Sequence, residues 1–79
     1  MNDETFLQTI LNGIVLHPEQ MRIDRSEDSR GILLRLHVCK NDMPFVIGRA
    51  GQSIAAIRLI MKIFAKDGPD ISLILEEPS

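Results

Sequence analysis

A chain of 79 residues is long enough for one domain with a modest hydrophobic core and too short for two. Hydrophobic residues make up 44% of it, which excludes intrinsic disorder, while the absence of Trp and Tyr and the presence of only three Phe argue against nucleic-acid recognition by aromatic stacking. The net charge of −2 is unfavourable for binding nucleic acid, so any such role depends on how the charge is distributed.

The composition also indicates where the protein works. The single cysteine, Cys39, has no partner for an internal disulfide, and residues 1–5 lack the positive charge and apolar stretch of a signal peptide. The longest apolar segment, Ile54 to Ala65, contains Arg58 and Lys62 and is too short to cross a bilayer. We therefore expect a cytoplasmic protein without a membrane role.

The first segment of the chain predicts a helix. It begins at a cap on Asn2 or Asp3 and ends at His17-Pro18, because the residue before a proline disfavours helical dihedrals. Its apolar residues recur at spacings of three and four, which predicts one buried stripe. The stripe consists of Phe6, Leu7, Ile10, Leu11, Ile14 and Val15.

Alternation of apolar and polar residues predicts three half-buried strands. The first two run from Met21 to Arg25 and from Ile32 to Cys39, and an acidic polar turn from Ser26 to Gly31 separates them. The third follows Asp67-Gly68-Pro69, which stops the preceding helix. Its inward residues are Ile71, Leu73 and Leu75.

Two helices joined by a tight loop lie between the second and third strands. Asn41-Asp42 offers a cap for a short helix from Met43 to Ile47, and a longer helix runs from Gln52 to Lys66. The stripe of the longer helix that faces the sheet consists of Ile54, Ile57, Met61 and Phe64. The order α-β-β-α-α-β predicts an α+β fold in which helices cover one face of a three-stranded sheet.

The loop between these helices carries two glycines, Gly48 and Gly51, with Arg49 and Ala50 between them. Glycine lacks the Cβ atom that keeps a ligand away from the backbone, and the planar fork of Arg49 fits phosphate oxygens. The start of the following helix also attracts anions. The loop therefore predicts a phosphate site, although two glycines at this spacing also occur in ordinary tight turns.

The flanks of the loop carry a family resemblance. The stretch from Val46 to Ile54 fits the pattern V-I-G-x-x-G-x-x-I without a mismatch and resembles the signature of the KH domain, an RNA-binding module. The helix ending in Ile14-Val15-Leu16-His17-Pro18-Glu19, the paired strands and Ala56-Ile57-Arg58 resemble small stand-alone bacterial KH proteins of the KhpA type. The resemblance implies that residues 1–79 form a single KH domain of type II, whose β-α-α-β core carries an extra N-terminal helix and strand.

The resemblance also implies that single-stranded RNA binds across the loop. Bases in such domains meet a strand edge beside the groove, so backbone groups of Leu34 to Val38 are expected there, with Arg35 and His37 as outward side chains. Val46, Ile47 and Ile54 would form an apolar floor for bases and would also belong to the core, and we expect both roles together with the core role dominating. The implied RNA-binding residues are Val46, Ile47, Gly48, Arg49, Ala50, Gly51, Gln52, Ser53, Ile54 and Arg58.

The basic residues on and near the longer helix leave the role of Arg58 open. Between Met43 and Lys66 there are four basic residues, Arg49, Arg58, Lys62 and Lys66, and no acidic one, so we expect a basic face on an acidic body. Arg58 either extends the positive track from the loop or belongs to the ordinary solvent face of the helix.

A second apolar stripe on the same helix includes Leu59 and Ile63. One stripe is enough to pack a helix on a sheet, so either the first helix covers the second stripe or a partner does. The resemblance implies pairing with a second copy or with a larger KH-containing protein. It further implies an RNA chaperone or post-transcriptional regulator connected with cell shape and cell wall biogenesis.

No catalytic constellation or metal-ligand spacing is present in the sequence. His17 and His37 lie in different predicted elements, and the adjacent acids Glu27 and Asp28 sit in a polar turn with nothing to fix their geometry. We expect no enzyme, no cofactor, no metal and no small-molecule substrate. The competing function is a protein-interaction module that docks through the second apolar stripe and has little affinity for RNA.

Overall fold

The computed structural model describes residues 1–78 as three helices and three strands in the order α-β-β-α-α-β. The helices are α1 (Asp3–Asn12), α2 (Met43–Ile47) and α3 (Gln52–Phe64), and the strands are β1 (Arg22–Asp28), β2 (Gly31–His37) and β3 (Ile71–Leu75). Short 3₁₀ turns span Pro18–Gln20, Lys40–Asp42 and Arg49–Gly51. The predicted α+β class and element order are confirmed. Within residues 1–78, none of the helices has the length and apolar character needed to span a membrane.

The sheet has the strand order β1-β2-β3. β1 and β2 form an antiparallel hairpin in which Arg22 is opposite His37, whereas β2 and β3 are parallel, with Ile32 opposite Ile71. The parallel pairing follows from the connection, because α2 and α3 carry the chain back along the sheet before β3 begins. β2 is therefore the central strand.

The hydrophobic core lies between one face of the sheet and all three helices, as predicted. Alternate residues of β2 and β3 point to this face, while Arg35, Ser72 and Ile74 on the other face are exposed. The core consists of Leu7, Leu11, Val15, Ile32, Leu34, Leu36, Val38, Val46, Ile54, Ile57, Met61, Ile71 and Leu73. Phe64 lies at the margin of this core, where its ring stacks on that of Phe6 with centroids 4.5 Å apart.

Three element boundaries differ from the prediction. α1 ends at Asn12 rather than at His17-Pro18, because the N–H of Gly13 folds back to the carbonyl of Ile10 and closes the helix. β1 extends to Asp28 instead of stopping at Arg25, since the backbone ladder continues through the polar residues up to the hairpin turn. α3 ends at Phe64, two residues earlier than predicted.

Two aspartates that were candidates for helix caps serve instead as links between elements. Asn2 caps α1, with its Oδ1 accepting from the N–H of Thr5 at 2.8 Å, while Asp3 is buried and receives the guanidinium of Arg25 at 2.8 Å. The Asp3 ion pair joins α1 to β1. The carboxylate of Asp42 makes no capping bond to α2 and anchors the segment that follows α1.

Candidate nucleic-acid interface

The residues Gly48 to Gly51 form a single tight turn between α2 and α3. The N–H of Gly51 donates to the carbonyl of Gly48 at 3.2 Å, and both glycines have φ of 75°, with ψ of 174° at Gly48 and 14° at Gly51. A Cβ atom on Gly48 would lie 2.7 Å from Cβ and 2.8 Å from N of Ser53, whereas one on Gly51 would meet nothing within 4 Å. Gly48 is therefore needed for space as well as conformation, and Gly51 leaves an open side.

The tip of the turn is formed by Arg49 and Ala50, both exposed. Ala50 has φ of 54° and ψ of 26°, and within residues 1–78 it is the one residue other than glycine with a positive φ. A left-handed conformation costs an alanine about 1–2 kcal/mol, and such strain concentrates at functional loops.

The electrostatics of the turn favour an anion. α3 begins directly after Gly51 and has no side-chain cap, so the positive end of its dipole faces the turn. Arg49 adds a full positive charge beside it, and within residues 1–78 it forms no ion pair that would offset this charge. The turn combines open backbone with uncompensated positive charge.

The apolar residues that flank the turn have different environments. The side chain of Val46 is fully buried, so it belongs to the core, and Ile54 is only 8% exposed. Ile47 is partly exposed and, of the three, is the most accessible to a base. The predicted apolar floor is therefore narrower than expected, because α2 uses Val46 to pack against the sheet.

Sequence reasoning overlooked Phe45. Its side chain is 49% exposed, and it lies three residues before Gly48 on the short helix that enters the turn. The low aromatic count of the chain argued against stacking, yet this one exposed phenyl ring lies next to the turn. The sequence did contain one indication that Phe45 is exposed, because it belongs to none of the predicted buried stripes.

The basic residues of α3 do not form a continuous stripe of unpaired charges, because Arg58 and Lys62 each contact an acceptor. The Nε atom of Arg58 donates to the backbone carbonyl of Leu73 in β3 at 3.2 Å, and Nζ of Lys62 lies 3.4 Å from Oδ1 of Asp70. The charge of Lys62 is thus partly neutralised. Arg58 is the residue that extends positive charge from the helix toward the sheet.

The strand edge beside α3 belongs to β3, and the expectation that Leu34 to Val38 present an edge is wrong. β2 is hydrogen-bonded to β1 on one side and to β3 on the other, which uses its backbone groups in both ladders. In a parallel pair, alternate residues of the edge strand direct their backbone groups outward. The contact from Arg58 shows that the carbonyl of Leu73 is one of these outward groups.

The second apolar stripe of α3 is exposed. Leu59 and Ile63 are 60% and 61% exposed, and Ile60 beside them is 39% exposed. α1 reaches α3 through the stack of Phe6 on Phe64 and leaves these residues uncovered. The possibility that the first helix buries the stripe is therefore wrong. We call Leu59, Ile60 and Ile63 the α3 patch.

Taken together, a β-α-α-β core with a G-x-x-G turn between its helices, preceded by a helix and a strand, defines a KH-type RNA-binding domain. Residues 4–76 match the family described as KhpA/KhpB, KH domain, and the chain belongs to that family. This is a family of RNA-binding proteins and not of enzymes.

Curated relatives span most of the chain. The RNA-binding protein KhpA of Chlamydia pneumoniae is 35% identical over 74 residues, which cover 91% of this chain and 95% of the relative. The RNA-binding protein KhpA of Bacillus subtilis is 40% identical over 55 residues, or 70% of this chain and 68% of the relative. That of Mycobacterium tuberculosis is 33% identical over 55 residues, with similar coverage of 70% and 69%.

Proposed function

We propose that the chain holds single-stranded RNA by its backbone, with phosphates seated on the turn from Gly48 to Gly51. Three features together support this proposal: the open side of Gly51, the uncapped start of α3, and the charge of Arg49, which forms no ion pair within residues 1–78. Phosphate contacts position a strand without reading its sequence, so discrimination between sequences is expected to be weak.

The remaining contacts follow from the positions of the side chains around the turn. Bases lie beyond the phosphates, on the exposed parts of Phe45 and Ile47 with Ile54 beneath them, and the exposed amide of Gln52 donates hydrogen bonds. Ser53 is partly buried against Gly48 and acts mainly by shaping the turn. Arg58 carries the positive track to the edge of β3.

The decisive experiment replaces Arg49 and Ala50 together with Asp. Aspartate tolerates the left-handed conformation of Ala50 better than most residues, so the fold is expected to persist. The matched control is Ser29→Asp with Arg30→Asp, which changes the net charge by the same −3 in the exposed hairpin turn between β1 and β2. Both proteins and the wild type are titrated against labelled single-stranded RNA at low and physiological salt.

Wild-type binding should weaken as salt rises, because neutralised phosphates release counterions. The loop variant should lose binding at both salt concentrations, and the hairpin control should bind almost as the wild type does. If the loop variant and the control weaken binding equally, only net charge matters and the turn is not the site. If the wild type fails to bind at low salt, RNA binding through this turn is ruled out.

A second proposal rests on the exposure of the α3 patch. We propose that the patch pairs with a second copy of the chain or with a larger KH-containing protein, since contiguous exposed apolar residues mark interaction sites. One KH domain grips about four nucleotides, and pairing two domains raises the effective concentration of the second site. Pairing would thus convert weak single-site binding into useful affinity.

The test of pairing replaces Leu59 and Ile63 with Glu and measures molar mass by light scattering. Both side chains are mostly exposed and glutamate suits a helix, so the variant should fold, and an oligomeric wild type should become monomeric. Lys66→Glu changes the net charge by the same −2 and should leave the mass unchanged. An unaltered mass in the double variant would exclude the patch as the interface.

These proposals place the chain, as the resemblance implies, among cytoplasmic RNA chaperones or post-transcriptional regulators connected with cell shape and cell wall biogenesis. The competing function is an interaction module with little affinity for RNA. It would be favoured if the α3 patch controls assembly while the wild type shows no salt-sensitive binding of RNA. The RNA titration and the light-scattering measurement described above therefore separate the two functions.

A further inference from the structure

Three side chains with metal-ligating atoms converge where the segment after α1 meets the start of α2. His17, Cys39 and Asp42 each offer one ligand atom, and these atoms all lie within 4.8 Å of one another. Sequence spacing did not reveal the cluster, because His17 is far from the other two along the chain. The cluster is distinct from the turn and from the α3 patch.

The carboxylate of Asp42 is already fixed in place. It is fully buried, and its Oδ1 and Oδ2 accept from the backbone N–H groups of Leu16 and His17 at 3.1 and 2.9 Å. Burial raises the pKa of the Asp42 carboxyl, but these two donors, with the Cys39 thiol and His17, outweigh burial and hold the pKa below its ordinary value. Each oxygen keeps a further lone pair for a metal ion.

The other two ligands are accessible. His17 and Cys39 are both partly exposed, so an ion can reach them from solvent. Oε1 of Glu19 lies 3.7 Å from Nδ1 of His17. The Glu19 carboxylate is therefore close enough to act as a fourth ligand or to orient the His17 ring through a hydrogen bond.

The ligand types fit one metal better than others. Donor atoms bound tetrahedrally to zinc lie about 3.5 Å apart, and the three ligand atoms lie within 4.8 Å of one another, so the farthest pair has to approach by roughly 1 Å when the metal binds. A thiolate and an imidazole suit zinc, whereas magnesium and calcium take oxygen ligands.

We propose that His17, Cys39 and Asp42 bind one zinc ion, with water or the carboxylate of Glu19 in the fourth position. Binding forms a bond from zinc to the sulfur of Cys39, and the thiol proton leaves to solvent. The ion joins the segment that follows α1 to the 3₁₀ turn that opens α2. It thereby braces the helix that leads into Gly48.

The test uses the full chain without an affinity tag, freed of metal with a chelator. Cobalt(II) is titrated first, because a cobalt–thiolate bond gives a near-ultraviolet charge-transfer band, and zinc is then added to displace it. We expect one equivalent of cobalt, a thiolate band and complete displacement by zinc. Zinc should also raise the melting temperature of the wild type, since it binds the folded state.

Cys39→Ser and His17→Gln test the ligands while leaving Asp42 and its two N–H contacts in place. Both should lower the affinity by at least about 100-fold, and Cys39→Ser should abolish the charge-transfer band. His37→Gln is the matched control, since His37 lies in β2 with its Nε2 3.0 Å from Asp24, and it should bind as the wild type does. Melting curves in chelator show whether each variant is folded.

Three results would overturn the proposal. The first is cobalt binding without a thiolate band. The second is an equal loss of affinity in His37→Gln and His17→Gln. The third is zinc affinity in a folded Cys39→Ser variant that matches the wild type.

Discussion

The two glycines of the turn should differ sharply in their tolerance of alanine. Gly48 has a φ of 75° with an extended ψ of 174°, a conformation that is essentially restricted to glycine and costs other residues on the order of 1–3 kcal/mol. Its added Cβ would also press on Cβ and N of Ser53, and overpacking costs roughly 1–3 kcal/mol more. We expect Gly48→Ala to lower the free energy of unfolding by the sum of these two costs, about 2–6 kcal/mol.

Gly51→Ala provides the matched comparison. Its φ of 75° and ψ of 14° are left-handed, which an alanine adopts at a cost of about 1–2 kcal/mol, and its added Cβ meets nothing within 4 Å. A domain of this size is stable by only about 4–12 kcal/mol, so the difference between the variants is large. Urea unfolding monitored by circular dichroism should resolve this difference in the free energy of unfolding.

A double variant isolates the steric part of the effect. Ser53→Gly removes the Oγ and Cβ atoms, which are the two atoms nearest to the new methyl group, and leaves the backbone N of residue 53 in place. In the Gly48→Ala background this change should recover part of the lost stability, although it is destabilising alone. Equal losses for Gly48→Ala and Gly51→Ala, or strictly additive effects of Gly48→Ala and Ser53→Gly, would refute the reasoning.

Three further predictions concern single side chains. Arg58→Gln should weaken RNA binding and lower the slope of log affinity against log salt by about 0.7, whereas Arg58→Lys should preserve that slope. Phe45→Ala should weaken RNA binding at least about fivefold, since a stacked base contributes roughly 1–3 kcal/mol, and should lower stability only by the loss of the buried half of the ring. The carboxyl of Asp42 has a lowered pKa in the folded state, so its stabilising contribution is complete above its ordinary pKa of 3.8 and is lost as the pH falls through the folded value. In the presence of a metal chelator, the Asp42→Asn variant should therefore have a lower free energy of unfolding than the wild type at neutral pH. Its free energy of unfolding should also fall less than that of the wild type when the solution is acidified.

The parts of the fold that could be predicted from the sequence are those encoded by local periodicity. The stripe of Ile54, Ile57 and Met61 and the alternation of Ile32, Leu34 and Leu36 each repeat with the period of their element, and all six side chains are buried. β1 was predicted too short because nearly all of its residues are exposed, so its far end is held by backbone pairing that leaves no hydrophobic pattern.

Properties that depend on distant parts of the chain could not be predicted. The strand order, and hence which strand has a free edge, depends on the path of the crossover and not on the composition of Leu34 to Val38. The role of Asp42 depends on N–H groups 25 and 26 positions away, so sequence reasoning assigned it to the nearest helix.

The left-handed alanine at the tip of the turn has a consequence for the kinetics of binding. Glycine at position 50 would sample right- and left-handed conformations about equally, so a ligand would have to select one of them. Ala50 already has the left-handed conformation, and alanine has fewer alternative backbone conformations than glycine. The turn is thus preorganised, and little conformational entropy remains to be lost on association. A nucleic acid that meets it would encounter a rigid docking point, while any slow rearrangement of the complex would occur in the flexible strand.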